Sequence, residues 1–149
     1  MNKISVVVPC FNEEEALPVY YREMCKIMKQ MPDVEFELLF IDDGSTDRTL
    51  GILKEFHEAD ARCEYFSFSR NFGKEAAIYA GLQNAAGDYV ATMDVDMQDP
   101  PGLLPEMYRL LTEEDYDSVA TRRSTRAGEP KLRSFLSENF YKFINRISK

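Results

Sequence analysis

Ile4-Ser5-Val6-Val7-Val8, closed by Pro9, is a near-continuous run of β-branched residues. A run that is apolar on both sides of the pleat reads as a strand buried on both faces, and such strands belong to parallel sheets. From this strand outward the chain alternates between helix and strand. A helix is expected over about 13–31, with Asn12 as its cap and Glu15 completing a capping box. Leu17, Tyr20, Tyr21, Met24, Ile27, Met28 and Met31 would form its inner side, and Pro32-Asp33 ends it. Residues 36–41 read as a second strand. A second helix follows over roughly 47–59, capped by Ser45 or Thr46, with Asp47 at its positive end. A third strand covers 64–68, and a helix covers 74–84, closed near Gly87. A fourth strand covers 89–93. Asp99-Pro100-Pro101 reads as a helix entrance, with residues 107–111 on that helix's packing face. Residues 117–121 read as a fifth strand, 122–130 as a polar turn-rich segment, and about 131–147 as a last amphipathic helix. The pattern predicts one α/β domain whose mostly parallel sheet carries helices on both faces and right-handed crossovers. Ligand sites in such sheets lie beyond the C-terminal strand ends, near a reversal of strand order.

Composition agrees with one globular domain. The chain has 149 residues, 44% hydrophobic and 30% charged, with ten Phe and eight Tyr, which argues against a disordered or low-complexity chain. No apolar run is long enough to read as a membrane span. Cys10, Cys25 and Cys63 make neither a metal spacing nor a C-x-x-C pair, a usage that suits a reducing compartment. The net charge of −8 is uneven. Residues 1–121 hold 10 basic and 24 acidic side chains, whereas 122–149 hold 8 basic and 2 acidic. The acidic body speaks against nucleic acid. The basic tail suits phosphate or an anionic membrane surface, or else a solvated helix end.

Polar residues gather where the strands end. The first strand delivers Pro9, Phe11 and Asn12, and the second Asp42, Asp43, Gly44 and Ser45. The third delivers Ser69, Arg70 and Asn71, the fourth Asp94, Asp96 and Gln98, and the fifth Thr121, Arg122 and Arg123. A continued extended backbone would turn Asp94 and Asp96 to one side. Paired carboxylates repel, and a divalent cation relieves that repulsion; oxygen ligands select Mg²⁺ or Mn²⁺, with Gln98 as a further carbonyl donor. Without context, an acidic loop capping a helix would look the same. A carboxylate at Asp42 or Asp43 suits ribose hydroxyls or a base N–H. The G-x-G-x-x-G fingerprint and the Lys-Ser/Thr phosphate loop are both missing, which disfavours a nicotinamide dehydrogenase and a P-loop NTPase. His57 and Cys10 read as structural.

Val8-Pro9 with Asn12-Glu13, Asp42-Asp43-Gly44-Ser45-Thr46-Asp47, Arg70-Asn71-Phe72-Gly73-Lys74-Glu75 and Asp94-Val95-Asp96-Met97-Gln98-Asp99-Pro100-Pro101 form an ordered set. The set resembles the inverting glycosyltransferases of family 2, with the GT-A fold. Within that family it is similar to the polyprenyl-phosphate sugar transferases, the bactoprenol glucosyltransferases and dolichyl-phosphate mannose synthases. The resemblance implies that Pro9, Phe11 and Glu13 shape a nucleotide pocket. It further implies that Asp42 faces the base with Asp43 nearby, that Ser45 lies in the turn and that Lys74 lies on the nucleotide side. Asp94 would sit near ribose and metal, and Asp96 and Gln98 would ligate Mg²⁺ or Mn²⁺. Arg122 would face phosphate, and Arg133 and Ser137, four apart on the last helix, would grip the lipid phosphate of the acceptor.

The activity so implied is metal-dependent transfer of a hexose, glucose foremost, from a UDP-sugar to undecaprenyl or another polyprenyl phosphate. Asp94, Asp96 and Arg122 would be the catalytic set. Other donors (UDP-N-acetylhexosamine, UDP-aminoarabinose, GDP-mannose) stay open, as do a saccharide acceptor in cell-envelope polysaccharide synthesis and a catalytically incomplete nucleotide-binding fragment. The resemblance also implies that residues 1–149 are the N-terminal part of a catalytic domain, soluble by themselves. The whole enzyme would continue into two transmembrane helices and work at the cytoplasmic face of the cell membrane. Self-association is open.

Overall fold

A computed structural model describes residues 1–98, 100–114 and 116–121. In chain order it holds β1 (Asn2–Cys10), α1 (Leu17–Gln30), β2 (Val34–Asp42), α2 (Thr49–Ala59), β3 (Cys63–Ser67), α3 (Lys74–Asn84), β4 (Tyr89–Thr92), a 3-10 turn (Pro101–Leu103) and α4 (Leu104–Glu113). The chain divides into two compact units, Met1–Val119 and Ala120–Lys149. The elements above all belong to the first, and only residues 120 and 121 of the second are described. Asp99, Arg122, Arg133, Ser137 and the helix expected over 131–147 lie outside the described residues.

The four strands are parallel, in the order β3-β2-β1-β4. Ile4 to Val8 are all buried, as their two-sided apolar pattern requires. Ile4, Val6 and Val8 pack with Phe36, Leu38 and Phe40 beneath Leu17, Tyr20 and Met24 of α1 and Ile52 and Leu53 of α2. The other face of the sheet is thinner, with Val7, Leu39 and Ile41 against Ala77 of α3. Here α3 lies so near the sheet that a Cβ at Gly81 would collide with the Val7 side chain. At the N-terminal end of β1, buried Ser5 accepts the Gly87 N–H at 2.8 Å and donates to Glu37 at 3.3 Å, while Glu37 pairs with Lys3 at 3.0 Å. This network seats the segment leading into β4 beside β1. Gly87 thus serves a close backbone approach and not a helix cap; Ala85 caps α3.

Three further expectations are corrected. The first helix begins at Leu17, not near 13, with a proline (Pro18) in its first turn. A proline there fits the start of a helix, since the missing N–H would have no partner anyway. Asn12 therefore caps nothing: it sits at φ 55°, and neither it nor Glu15 forms a capping box on α1. The second helix starts at Thr49 without a side-chain cap from Ser45 or Thr46. Residues 117–121 join none of the four described strands. That run offers one branched apolar residue, Val119, and a strand needs a paired neighbour to persist.

Two variants test this packing. Gly81→Ala gains about 1 kcal/mol of helix propensity but forces overpacking against Val7, which costs about 1–3 kcal/mol. A net loss of stability is expected in urea unfolding, and a stabilised variant would show that α3 can lift off the sheet. Tyr20 is 0% exposed, and its hydroxyl has no hydrogen-bond partner among the described residues. Tyr20→Phe removes an unsatisfied buried group that costs about 1–3 kcal/mol. Its melting temperature should equal or exceed that of the parent, and a clear drop would reveal a partner for the hydroxyl.

Candidate functional site

The strand order reverses at β1. From β1 the chain builds outward to β2 and β3, then crosses back to place β4 on the other side. The two exits diverge there and leave a crevice beyond the C-terminal ends of β1 and β4. A cleft of ≈ 380 Å³ lies at this point. Pro9, Cys10, Phe11 and Glu13 come to it from β1, Asp43 from β2, Asn71, Gly73 and Lys74 from the entrance of α3, and Asp94, Val95 and Asp96 from β4.

The β1 exit is held by the β2 exit. The N–H groups of Asn12, Glu13 and Glu14 donate to Ser45 Oγ (2.9 Å), Thr49 Oγ1 (2.7 Å) and Asp47 Oδ2 (3.2 Å). In return, the N–H groups of Thr46 and Arg48 donate to Asn12 Oδ1 (2.9 Å) and Glu14 Oε2 (2.9 Å). Two loops without secondary structure of their own thus satisfy each other's backbone, and this fixes where Phe11 and Glu13 stand. Asn12 tolerates its left-handed conformation better than most residues.

The paired aspartates of β2 divide their work. Asp42 is 1% exposed; its oxygens accept the Ser45 N–H (3.0 Å) and the Ser67 hydroxyl (2.7 Å), so it ties the ends of β2 and β3 together. It is not part of the cleft wall. Asp43, 3% exposed, is in that wall, and its oxygens accept the Phe72 N–H (2.7 Å) and the Gly73 N–H (3.0 Å) at the entrance of α3. Gly44 at φ +70° lies face-on to the Arg70–Asn71 backbone, where any Cβ would collide. Glycine meets both demands, the left-handed φ and the close approach.

Beyond β4 the backbone does not stay extended. The strand ends at Thr92, Val95 and Asp96 lie in a turn, and Met97 takes φ 54°. Val95 is buried in this turn, yet Asp94 and Asp96 both reach the cleft. Asp94 meets Lys74 Nζ at 2.7 Å, and Asp96 Oδ1 accepts the Gln98 N–H at 3.1 Å. Lys74 is the one basic side chain among the described residues that line the cleft. Burial, and then the carboxylates of Asp96, Asp47 and Asp94, push the Glu13 carboxyl above its ordinary range. Burial, Glu13 and Asp42 likewise push the Cys10 thiol well up, so it is a neutral wall and not a nucleophile.

Among the described residues no group of three or more His, Cys, Asp or Glu is arranged to hold a metal ion alone. Two carboxylates in one cleft instead fit the way Mg²⁺ and Mn²⁺ bind, through one or two carboxylates completed by water and ligand phosphates. Of the residues singled out from sequence, Pro9, Phe11, Glu13, Asp43, Lys74, Asp94 and Asp96 line the cleft. Asp42, Ser45 and Gln98 are not in the lining; Asp42 holds Ser45, Ser45 holds Asn12, and the Gln98 N–H donates to Asp96. Asn71, expected at the rim but given no role there, also lines the cleft, as does Gly73, while Thr49 is a residue that the sequence does not point to. Gly73 follows directly on the polar residues 69–71, whereas nothing in the sequence separates Thr49 from an ordinary helix start.

The chain matches the glycosyl transferase family 2 over residues 5–149. It is 43% identical over 146 residues to the bactoprenol glucosyl transferase of Shigella phage SfV, covering 98% of this chain and 47% of that protein. It is 42% identical over 143 residues to the putative glycosyltransferase CsbB of Bacillus subtilis, covering 96% of this chain and 43% of that protein. The chain thus spans about half the length of the curated relatives it matches. The mannosyltransferase PcManGT from Pyrobaculum calidifontis, solved with GDP-Man and Mn²⁺, is similar at a TM-score of 0.64 and 20% identity, over 75% of this chain and 33% of that one. S. aureus TarS 1-349, solved with UDP, is similar at a TM-score of 0.55 and 26% identity, over 71% and 33%. With its GT-A-like parallel sheet and a family match over nearly its whole length, the chain belongs to glycosyl transferase family 2.

Proposed function

We propose that this chain supplies the donor-binding part of an inverting, metal-dependent glycosyltransferase that moves glucose from UDP-glucose to a polyprenyl phosphate. The observation that carries this reading is the cleft at the β1–β4 crevice, where Phe11, Glu13, Asp43, Lys74, Asp94 and Asp96 meet. The names of the relatives support the sugar and the lipid acceptor, since several are bactoprenol glucosyl transferases. TarS solved with UDP supports the base.

The half-exposed ring of Phe11 (46%) offers the base an apolar face beside Pro9. Asp43 spends an electron pair of each oxygen on the α3 entrance and keeps others for the nucleoside. A Mg²⁺ or Mn²⁺ ion held by Asp96 and Asp94, with Gln98 beside them, would offset the charge that grows on the diphosphate as it leaves. Lys74, held by Asp94 at 2.7 Å in the first turn of α3, stands ready to offset part of the same charge. The acceptor phosphate is already an anion, so its attack on the anomeric carbon from the opposite face needs no general base. The protein's share is alignment and charge placement. Arg122, Arg133 and Ser137 are the residues proposed for the acceptor side.

Calorimetry with UDP and GDP, each with and without Mn²⁺, tests the reading. UDP should bind more tightly than GDP, and Mn²⁺ should strengthen UDP binding. Asp96→Ala should fold normally, because Asp96 is exposed, and should lose about tenfold or more of the Mn²⁺-dependent affinity. Tighter GDP binding would overturn the base assignment, and metal-independent binding would overturn the role given to Asp94 and Asp96.

A further inference from the structure

The cleft depends on a residue that does not line it. Thr49 is 0% exposed at the first turn of α2, and its Oγ1 accepts the Glu13 N–H at 2.7 Å. Its own N–H donates to Asp47 Oδ1 at 2.9 Å, while Asp47 Oδ2 accepts the Glu14 N–H. The other acceptors that hold this loop, Ser45 and Asp47, are partly exposed, so water can replace them. Thr49 is buried, so removal of its hydroxyl takes away the partner of the Glu13 N–H. Loss of that oxygen would therefore turn the Glu13 N–H out toward solvent. The Glu13 side chain, in the cleft beside the Asp94 and Asp96 carboxylates, would move with it.

We propose that Thr49 is a positioning residue for donor binding, acting through the Glu13 backbone to hold the β1 side of the cleft in its binding shape. The inference rests on the nucleotide-binding reading given above. A loop held only part of the time lowers the apparent affinity by the fraction of molecules in the competent form. The loss falls on donor affinity and reaches every nucleoside diphosphate alike, because Thr49 touches none of them.

Four substitutions separate the hydroxyl from the packing. Thr49→Val keeps the shape and removes the oxygen, and Thr49→Ser keeps the oxygen and removes a buried methyl. Thr49→Ala differs from Thr49→Ser by the oxygen alone and serves where Thr49→Val fails to fold. Glu13→Ala keeps the loop N–H and removes the side chain that it carries. Calorimetry with UDP and Mn²⁺ should show Thr49→Val and Thr49→Ala weakened by about fivefold or more. Thr49→Ser should stay within about twofold of the parent, although its lost methyl lowers the melting temperature. Thr49→Val should weaken binding in the Glu13→Ala background as well, because that background keeps the loop N–H that Thr49 holds. Amide hydrogen exchange should show the Glu13 N–H protected in the parent and Thr49→Ser and unprotected in Thr49→Val. Equal affinity of Thr49→Val and parent, or equal weakening of Thr49→Ser and Thr49→Ala, would overturn the proposal. So would a protected Glu13 N–H in Thr49→Val. A parent that binds no nucleoside diphosphate would instead overturn the donor-binding reading, and the exchange data would still decide whether Thr49 holds the loop.

Discussion

Glu13, Asp94 and Asp96 share one cleft with a single described ammonium, Lys74, and the rest of the site is arranged around that imbalance of charge. Crowded carboxylates repel one another, and the backbone that carries them has to hold against that repulsion. Burial first, and then that crowding, raises the Glu13 carboxyl. What fixes the backbone is a set of hydrogen bonds with few side chains to spare: Ser45, Asp47 and Thr49 under Asn12 to Glu14, and Asp43 under Phe72 and Gly73.

The sheet makes this crowding possible. A parallel sheet sends every strand end to the same rim, and the reversal at β1 opens that rim between β1 and β4. The central pair carries the load, since β1 and β2 match residue for residue from Asn2↔Val34 to Cys10↔Asp42. That register sets Cys10 and Asp42 side by side, and the Asp43 N–H then donates to the Cys10 carbonyl at 2.8 Å. The β2 exit is thereby locked to the β1 exit before any loop contact is made. Asp42 repeats the device one strand further out, where its carbonyl accepts the Phe68 N–H at 2.9 Å.

The strands and the rim were legible in the chain because buried parallel strands advertise themselves. Ile4 to Val8 and residues 36–41 have no other reading of comparable strength, and α3 was bounded at 74–84 as it stands. The start of α1 is obscured because Asn12 and Glu15 imitate a capping box, while the stronger signal, Pro18, sits where a first helical turn accepts it. The polar side chains of Asn12 and Glu14 are spent on another loop, and single-sequence spacing cannot reveal a partner some 34 residues away. The same limit hid the division of labour between Asp42 and Asp43. Adjacent residues on a strand point to opposite faces, but which one meets a ligand depends on what packs behind the other. An extended backbone would turn Asp94 and Asp96 to one side; they reach the cleft by a turn at Val95 and Asp96 instead.

The central claim is that the carboxylates after β4 hold a divalent ion against a nucleoside diphosphate. A crystal structure of this chain grown with UDP and Mn²⁺, with anomalous scattering used to locate the manganese, tests it most directly. The account predicts one manganese peak against the Asp96 carboxylate and beside the UDP diphosphate, with the uracil beside Phe11. Manganese and UDP bound away from the β1–β4 crevice, or UDP in the cleft with its diphosphate turned from Asp94 and Asp96, would contradict it.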